Sequence, residues 1–112
     1  MPKSPTIYLT DILESIVDIN SYIEGFTKEN FISDKKTQDA VIRRIQIIGE
    51  AVKNIPEPIK NEYSYPWREI AGLRDIVVHQ YAGVSLDIIW DIITNELSTL
   101  KSIIEHITES QQ

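Results

Sequence analysis

The sequence predicts an all-α protein that folds as a single domain over residues 1–112, in an antiparallel four-helix bundle. Its apolar residues recur at spacings of three and four along most of the chain, which is the period of amphipathic helices. No segment shows the alternation of apolar and polar residues that is typical of a strand. Prolines and glycines divide the helical pattern into three long segments and one of medium length, as expected for a bundle.

The first two helices are defined by their apolar stripes and by the residues at their ends. We expect the first helix over residues 9–23, with Gly25 as its stop, because glycine is favoured just after the last turn of a helix. Ser33 is the predicted N-cap of the second helix, and Pro56 ends that helix. The two stripes are Leu9, Ile12, Leu13, Ile16, Val17 and Ile23, and Val41, Ile45, Ile48, Val52 and Ile55.

The second half of the chain predicts two further helices. Residues 56–66 are punctuated by prolines and read as a loop with room for one helical turn, and Pro66 suits the first turn of the third helix. Gly83 marks the next break, and Ser85 is the predicted N-cap of the fourth helix. The stripes are Ile70, Leu73 and Val77, and Leu86, Ile89, Trp90, Ile93, Leu97, Leu100, Ile104 and Ile107.

The fourth helix is unusually apolar where it begins. Its apolar residues there cover more than one face: Ile88, Ile89, Trp90, Ile92 and Ile93. A surface helix needs one apolar stripe, so a second stripe indicates a second partner. Two interpretations stay open, a homodimer contact or a helix buried at the centre of the fold.

Composition excludes several classes of protein. The chain has no cysteine, two histidines and four glycines, which argues against disulfides, zinc ribbons, multi-histidine metal sites and glycine-rich phosphate loops. We therefore expect no metal and no cofactor. No apolar run approaches the ~18 residues of a membrane span, and no signal-peptide pattern precedes the first acidic residue, so the expected location is the cytoplasm, without membrane contact.

The charge is uneven along the chain. The net charge of -6 disfavours nonspecific binding of nucleic acid by the protein as a whole. Residues 35–74 nevertheless hold eight basic and five acidic side chains, a local net charge of +3. This stretch predicts either a basic binding surface or ordinary solvated helix faces, and the neighbouring Arg43 and Arg44 are expected to belong to a solvated face.

The third helix carries the candidate chemistry. On a helical wheel Arg74 borders the core face, and a polar face turned away from the core holds Arg68, Gly72, Asp75 and His79. Asp75 and His79 are four residues apart and can pair, and Gly72 leaves room for a ligand to approach. If the helix continues that far, Tyr81 returns to the side of Arg74.

A histidine and an arginine without a metal suit acid–base chemistry at a phosphate. The histidine moves protons, and the arginine stabilises charge on the phosphoryl oxygens. RNA supplies its own nucleophile, the 2′-hydroxyl, so no nucleophilic side chain is required. Each residue also has a structural alternative. His79 can serve the dipole at a helix C-terminus, Arg74 can pair with an acid on another helix, and Tyr81 can lie at the core edge. His106 is expected to be a solvated end residue.

The segment from Arg74 through His79 to Tyr81 reads R-x4-H-x-Y, and it resembles the motif of HepT-like toxins in the HEPN superfamily. The flanks are similar as well: residues 65–68 (YPWR), 72–74 (GLR), Gly83-Val84, and the stretch 48–51 (IGEA) in the second helix. The motif alone is weak, but with its flanks and the helical plan the likeness covers essentially the whole chain.

The resemblance implies a dimeric α-helical bundle that brings two copies of the motif into one cleft. It implies a metal-independent endoribonuclease, acting on an RNA such as a tRNA or an mRNA, with Arg74 and His79 as the catalytic pair and Asp75 orienting His79. It also implies a toxin–antitoxin system. An MntA-like nucleotidyltransferase antitoxin would transfer AMP onto the motif tyrosine, Tyr81, and so silence the toxin.

Two other functions compete with this hypothesis. The chain could be a non-catalytic helical subunit that binds or supports a nucleotidyltransferase, as its substrate-binding half or as the antitoxin. A weaker alternative is a nucleotide-binding module, for which no feature argues beyond the predicted Arg/His cleft.

Overall fold

The computed structural model describes residues 4–79 and 85–111, with the side chains of residues 76, 78 and 79 outside the described atoms. All regular secondary structure in these ranges is helical, so the all-α prediction is confirmed there. The helices are α1 (Pro5–Tyr22), α2 (Lys28–Ile32), α3 (Lys35–Asn54), α4 (Glu57–Lys60), α5 (Trp67–His79), α6 (Leu86–Asp91) and α7 (Leu97–Ser110), with a π-helical turn over Ile92–Glu96 between α6 and α7. The four helices predicted from the sequence correspond to α1, α3, α5 and the α6–α7 segment.

Helix α1 begins four residues before the predicted start. The hydroxyl of Ser4 accepts a hydrogen bond from the Thr6 N–H at 3.3 Å, and proline occupies the first turn. The helix ends at Tyr22, and Gly25 in the following turn has a φ of +77°, which confirms a glycine stop. The prediction that Val17 belongs to the core stripe is wrong, because its side chain is 53% exposed while its neighbour Ile16 is fully buried.

The short helix α2 was not predicted. Its start is a capping box in which the Thr27 hydroxyl accepts from the Asn30 N–H, and the Asn30 side chain accepts from the Thr27 N–H, each at 3.1 Å. Phe31 on this helix is fully buried, and its ring lies 5.5 Å from that of Trp90 between centroids. The helix thus anchors the α1–α3 connection to the core through one aromatic side chain.

The predicted N-cap of the second long helix was wrong by one residue. The Asp34 side chain accepts a hydrogen bond from the Thr37 N–H at 3.1 Å and so caps α3. Ser33 instead ends α2, where its hydroxyl donates to the carbonyl of Glu29 at 2.9 Å. The physical reason is the unpredicted α2: Ser33 is the C-cap of that helix, so the next residue, Asp34, caps α3.

The remaining boundaries agree with the sequence. Helix α3 ends at Asn54, just before Pro56, and the proline-rich loop contains one helical turn, α4. Pro66 directly precedes α5 and its carbonyl accepts from the Ile70 N–H at 3.1 Å. The Ser85 hydroxyl caps α6 by accepting from the Asp87 N–H at 3.2 Å. The predicted break at Gly83 lies outside the described residues.

The start of the last helical segment is neither wholly buried nor wholly exposed. Ile89 and Ile93 are buried in the core, and Trp90 is half-buried against Phe31. Ile88, in contrast, is 56% exposed. A central position with burial on every side is therefore excluded for this chain by itself, and an exposed apolar residue remains on the second face.

Packing places α3 in the middle of the fold. It contacts α1 on one side and α5 on another, and α1 also contacts α7. Helix α2 closes one end against α3 and α6. The core is formed mainly by fully buried aliphatic side chains such as Ile16, Ile48 and Leu100. Among the described helices none is long and apolar enough to cross a membrane.

Candidate functional site

The site begins with a close approach between the backbones of α3 and α5. A Cβ atom added at Gly49 would lie 2.8 Å from the Cβ of Arg74, and 3.0 Å from both the Arg74 nitrogen and the Ala71 carbonyl oxygen. No side chain fits at such distances without moving one of the helices, so glycine at this position allows the contact. The close approach positions the backbone of Arg74 directly beside α3.

Two carboxylates hold the Arg74 guanidinium. Its Nε lies 3.0 Å from Oε2 of Glu50 on α3, and its Nη1 donates to Oδ1 of the adjacent Asp75 at 3.1 Å. The Arg74 side chain remains 42% exposed, so solvent or a ligand can still reach it. The alternative that Arg74 pairs with an acid on another helix is confirmed. This pairing orients the guanidinium and does not prevent it from contacting a ligand.

The predicted partners of Arg74 are described only in part. Asp75 is exposed and directs its carboxylate to Arg74. His79 is the last residue of α5, five residues after Arg74, but its side chain is outside the described atoms. Pairing of Asp75 with His79 therefore stays a prediction. Tyr81 lies outside the described residues.

Arg74 stands between two recesses. A pocket of ≈ 310 Å³ lies on the side of Gly72, and a Cβ added at Gly72 would meet nothing within 4 Å, which confirms the predicted open space there. The lining of this pocket includes the exposed Arg68, which was predicted to share that face.

On the other side of Arg74 a cleft of ≈ 490 Å³ runs along α3 beneath α1. It is lined by Tyr8 and Asp11 of α1, by Arg43, Gln46, Ile47, Glu50, Ala51 and Asn54 of α3, and by Arg74. Glu50 and Arg74 line the part of the cleft where α3 meets α5. Glu50 was not predicted as a site residue, although it lies in the stretch 48–51 on which the resemblance partly rests.

The adjacent arginines of α3 differ in their surroundings. Arg44 forms an ion pair with Asp18 of α1, Nη2 to Oδ2 at 3.1 Å, and a hydrogen bond with Tyr22 raises the pKa of its guanidinium, helped by Asp18. The prediction of a solvated face is therefore wrong for Arg44, which is tied to α1. Arg43 is exposed and lines the cleft. His106 is exposed in α7, as predicted.

Residues 12–107 match the family described as Ribonuclease HepT-like. The chain belongs to the HepT-like ribonuclease family. The resemblance stated from the R-x4-H-x-Y segment and its flanks is thereby confirmed at the level of the family.

Similar proteins cover the length of this HepT-like chain. A Methanocaldococcus jannaschii protein named "Putative RNase MJ0127" is 46% identical, over 97% of this chain and 93% of that protein. A Thermococcus cleftensis protein named "Probable ribonuclease HepT" is 42% identical, over 96% of this chain and 98% of that protein. A second M. jannaschii protein, "Gamma-glutamylcyclotransferase and putative RNase MJ0434", is 44% identical over 97% of this chain but only 50% of its own length. No solved structure matches the chain.

The described side chains of this HepT-like chain form no group of three or more histidines or acids that could hold a metal ion. Glu50 and Asp75 both lie beside Arg74, whose positive charge occupies the position that a cation bound between them would take. Among the described residues, the site is thus organised around an arginine.

Proposed function

We propose that this chain is a cytoplasmic, metal-independent endoribonuclease and the toxin of a toxin–antitoxin pair, with Arg74 and His79 as its catalytic residues. Membership of the HepT-like ribonuclease family supports the class of reaction and RNA as the substrate. The observation that carries the assignment of Arg74 is its guanidinium, oriented by Glu50 and Asp75 yet 42% exposed between two recesses.

In the proposed reaction the 2′-hydroxyl of a ribose attacks the neighbouring phosphorus. A bond forms between O2′ and phosphorus while the bond from phosphorus to the 5′-oxygen of the next nucleotide breaks, which leaves a cyclic phosphate and a 5′-hydroxyl. One imidazole accepts the proton of the 2′-hydroxyl and another delivers a proton to the leaving oxygen. The guanidinium of Arg74 stabilises the negative charge that develops on the phosphoryl oxygens.

A homodimer of antiparallel four-helix bundles completes this site in the proposal. Each chain carries one motif histidine, His79, whereas the reaction uses a proton acceptor and a proton donor. A two-fold axis near the motif would supply one histidine from each chain. Ile88 is 56% exposed on the face of α6 that the core leaves free, so an apolar side chain is available there for a contact between copies.

Silencing in this proposal acts on Tyr81. An MntA-like nucleotidyltransferase transfers AMP from ATP to its hydroxyl: the bond from the tyrosine oxygen to the α-phosphorus forms while the bond to pyrophosphate breaks and the hydroxyl proton is lost. The product carries a phosphate and a base two residues after His79. The negative phosphate would compete with RNA for Arg74. The test is the intact mass of the chain co-expressed with the nucleotidyltransferase. We expect a gain of one or more AMP units, absent in Tyr81→Phe, and an unmodified mass beside an active transferase would contradict this part of the proposal.

The main test measures cleavage of bulk tRNA and of an mRNA transcript in the presence of EDTA. Arg74→Ala and His79→Ala should each lower the rate by about 100-fold or more, because each removes a group that acts in the transition state. His106→Ala is the matched control, since His106 is exposed in α7 and should leave the rate unchanged. A growth defect that persists in a folded His79→Ala variant would instead favour a non-catalytic subunit that binds a nucleotidyltransferase.

A further inference from the structure

Arg43 is the feature of the cleft that the proposed chemistry does not use. It is exposed, it lines the cleft, and it has no ion pair within residues 4–79 and 85–111. Its neighbour Arg44 is held by Asp18 and Tyr22 of α1. The guanidinium of Arg44 is therefore bound by acceptors within the protein, whereas the guanidinium of Arg43 is available to a ligand in the cleft.

Arg43 and Arg74 line the same cleft. Residues 43, 46, 47, 50 and 54 follow one another at helical spacing, so they form a single face of α3. Arg43 lies seven residues before Glu50, about 10 Å along the helix axis, and Glu50 holds Arg74 at 3.0 Å. The cleft thus holds one guanidinium at Arg43 and a second beside Glu50, about two helical turns further along α3, as would suit an extended strand with more than one phosphate.

The walls between the two arginines suit a nucleoside. The cleft volume of ≈ 490 Å³ lies within the range of about 300–1,000 Å³ typical of small-ligand sites. The ring of Tyr8, on the α1 side, is half-buried and provides an aromatic surface on which a base can stack. Between the two arginines, the side-chain amide of Gln46 offers a donor and an acceptor to a base edge. Asn54, one turn beyond Glu50, donates its Nδ2 to the Glu50 carbonyl at 2.9 Å and keeps its amide oxygen as an acceptor.

We propose that this cleft binds the nucleotide next to the scissile phosphate of a single-stranded RNA segment, with Arg43 as the ligand of a second phosphate. The inference rests on the proposed ribonuclease function and names the part of the substrate that the cleft holds. It also explains how a chain of net charge -6 can bind RNA, since the contacts are few and local. Asp11 lines the same cleft from the α1 side, and its negative charge would repel a phosphate. The second phosphate is therefore placed on the α3 side.

The experiment compares Arg43→Ala with Arg44→Ala on a single-stranded RNA oligonucleotide that spans a cleavage site mapped with the wild-type protein. For Arg43→Ala we expect KM to rise about five- to tenfold with kcat within twofold, because a phosphate contact away from the reacting bond is lost. The slope of log affinity against log salt should fall in magnitude by about 0.7. Arg44→Ala should change neither quantity, and Asp11→Asn should lower KM.

The outcomes separate the two proposals. If the wild-type protein cleaves RNA and Arg43→Ala behaves like Arg44→Ala in KM and in salt slope, the subsite is refuted while the ribonuclease function stands. If kcat falls with Arg43→Ala and KM does not change, Arg43 acts on the reaction and the subsite is again refuted. If the wild-type protein cleaves no RNA, both proposals fail. Circular dichroism and thermal melting of both arginine variants verify that each is folded.

Discussion

Replacing Gly49 with alanine tests whether the close approach of α3 and α5 is a requirement of this fold. The added Cβ would lie 2.8 Å from the Arg74 Cβ and 3.0 Å from two backbone atoms of α5. None of these atoms can rotate away as the end of a flexible side chain could. The helices must separate at this point, and Arg74 must move relative to Glu50. Gly72→Ala is the matched control, because its Cβ would meet nothing within 4 Å.

The expected change in the free energy of unfolding follows from two opposing contributions. Alanine in place of a helical glycine gains about 0.8–1 kcal/mol of helix stability, and both variants share this gain. Overpacking at a closed contact costs about 1–3 kcal/mol, and only Gly49→Ala incurs it. We therefore expect Gly72→Ala to be more stable than the wild type, and Gly49→Ala to be about 1–3 kcal/mol less stable than Gly72→Ala.

The measurement is urea unfolding of the two variants and the wild type, monitored by far-UV circular dichroism. In thermal unfolding, the same difference in the free energy of unfolding corresponds to roughly 4–12 °C in Tm for a chain of this size. Gly49→Ala should also cleave RNA more slowly, because Arg74 is displaced. If Gly49→Ala proved as stable as Gly72→Ala, the argument that glycine is needed for the contact between α3 and α5 would be refuted.

Two further predictions concern the core. Phe31→Ala should lower the free energy of unfolding in urea by about 3–5 kcal/mol, because Phe31 is fully buried. The control Ile32→Ala should cost less than about 1 kcal/mol, because Ile32 is 42% exposed. Equal effects of the two substitutions would contradict the anchoring role of α2. The hydroxyl of Tyr65 is buried without a hydrogen-bond partner among the described residues, so Tyr65→Phe should leave the stability at neutral pH unchanged or raise it by about 1 kcal/mol. Burial also raises the pKa of Tyr65, so above pH ~10 the unfolded chain loses this proton before the folded chain does. The wild type should therefore lose stability relative to Tyr65→Phe as pH rises through that range. A constant difference in stability between the two would refute the raised pKa of Tyr65.

The local pattern of the sequence was sufficient for most of the helices. Apolar residues at spacings of three and four predicted α1, α3, α5 and the α6–α7 segment, and Ser85 and Pro56 set boundaries where they were expected. These features depend on residues within one or two turns of each other, so they can be read without the fold. The antiparallel arrangement and the dimer stay predictions.

The errors have local causes as well. Helix α2 is too short for a period to be visible, and its only signal was the capping box of Thr27 and Asn30. Missing it led to Ser33 being assigned as the N-cap of α3 in place of Asp34. Val17 fits the helical period but lies outside the core, because a stripe indicates a face only to within one residue.

The sequence by itself determined that the chain is helical, that Arg74 lies at the edge of a core face, and that Gly72 leaves open space. Only the tertiary structure decided that Gly49 admits α5, that Glu50 holds Arg74, and that Arg43 faces the cleft while Arg44 pairs with Asp18. The first set depends on the rotation of each residue about its own helix axis. The second depends on the distance and register between helices, which are fixed when side chains from distant parts of the chain pack together.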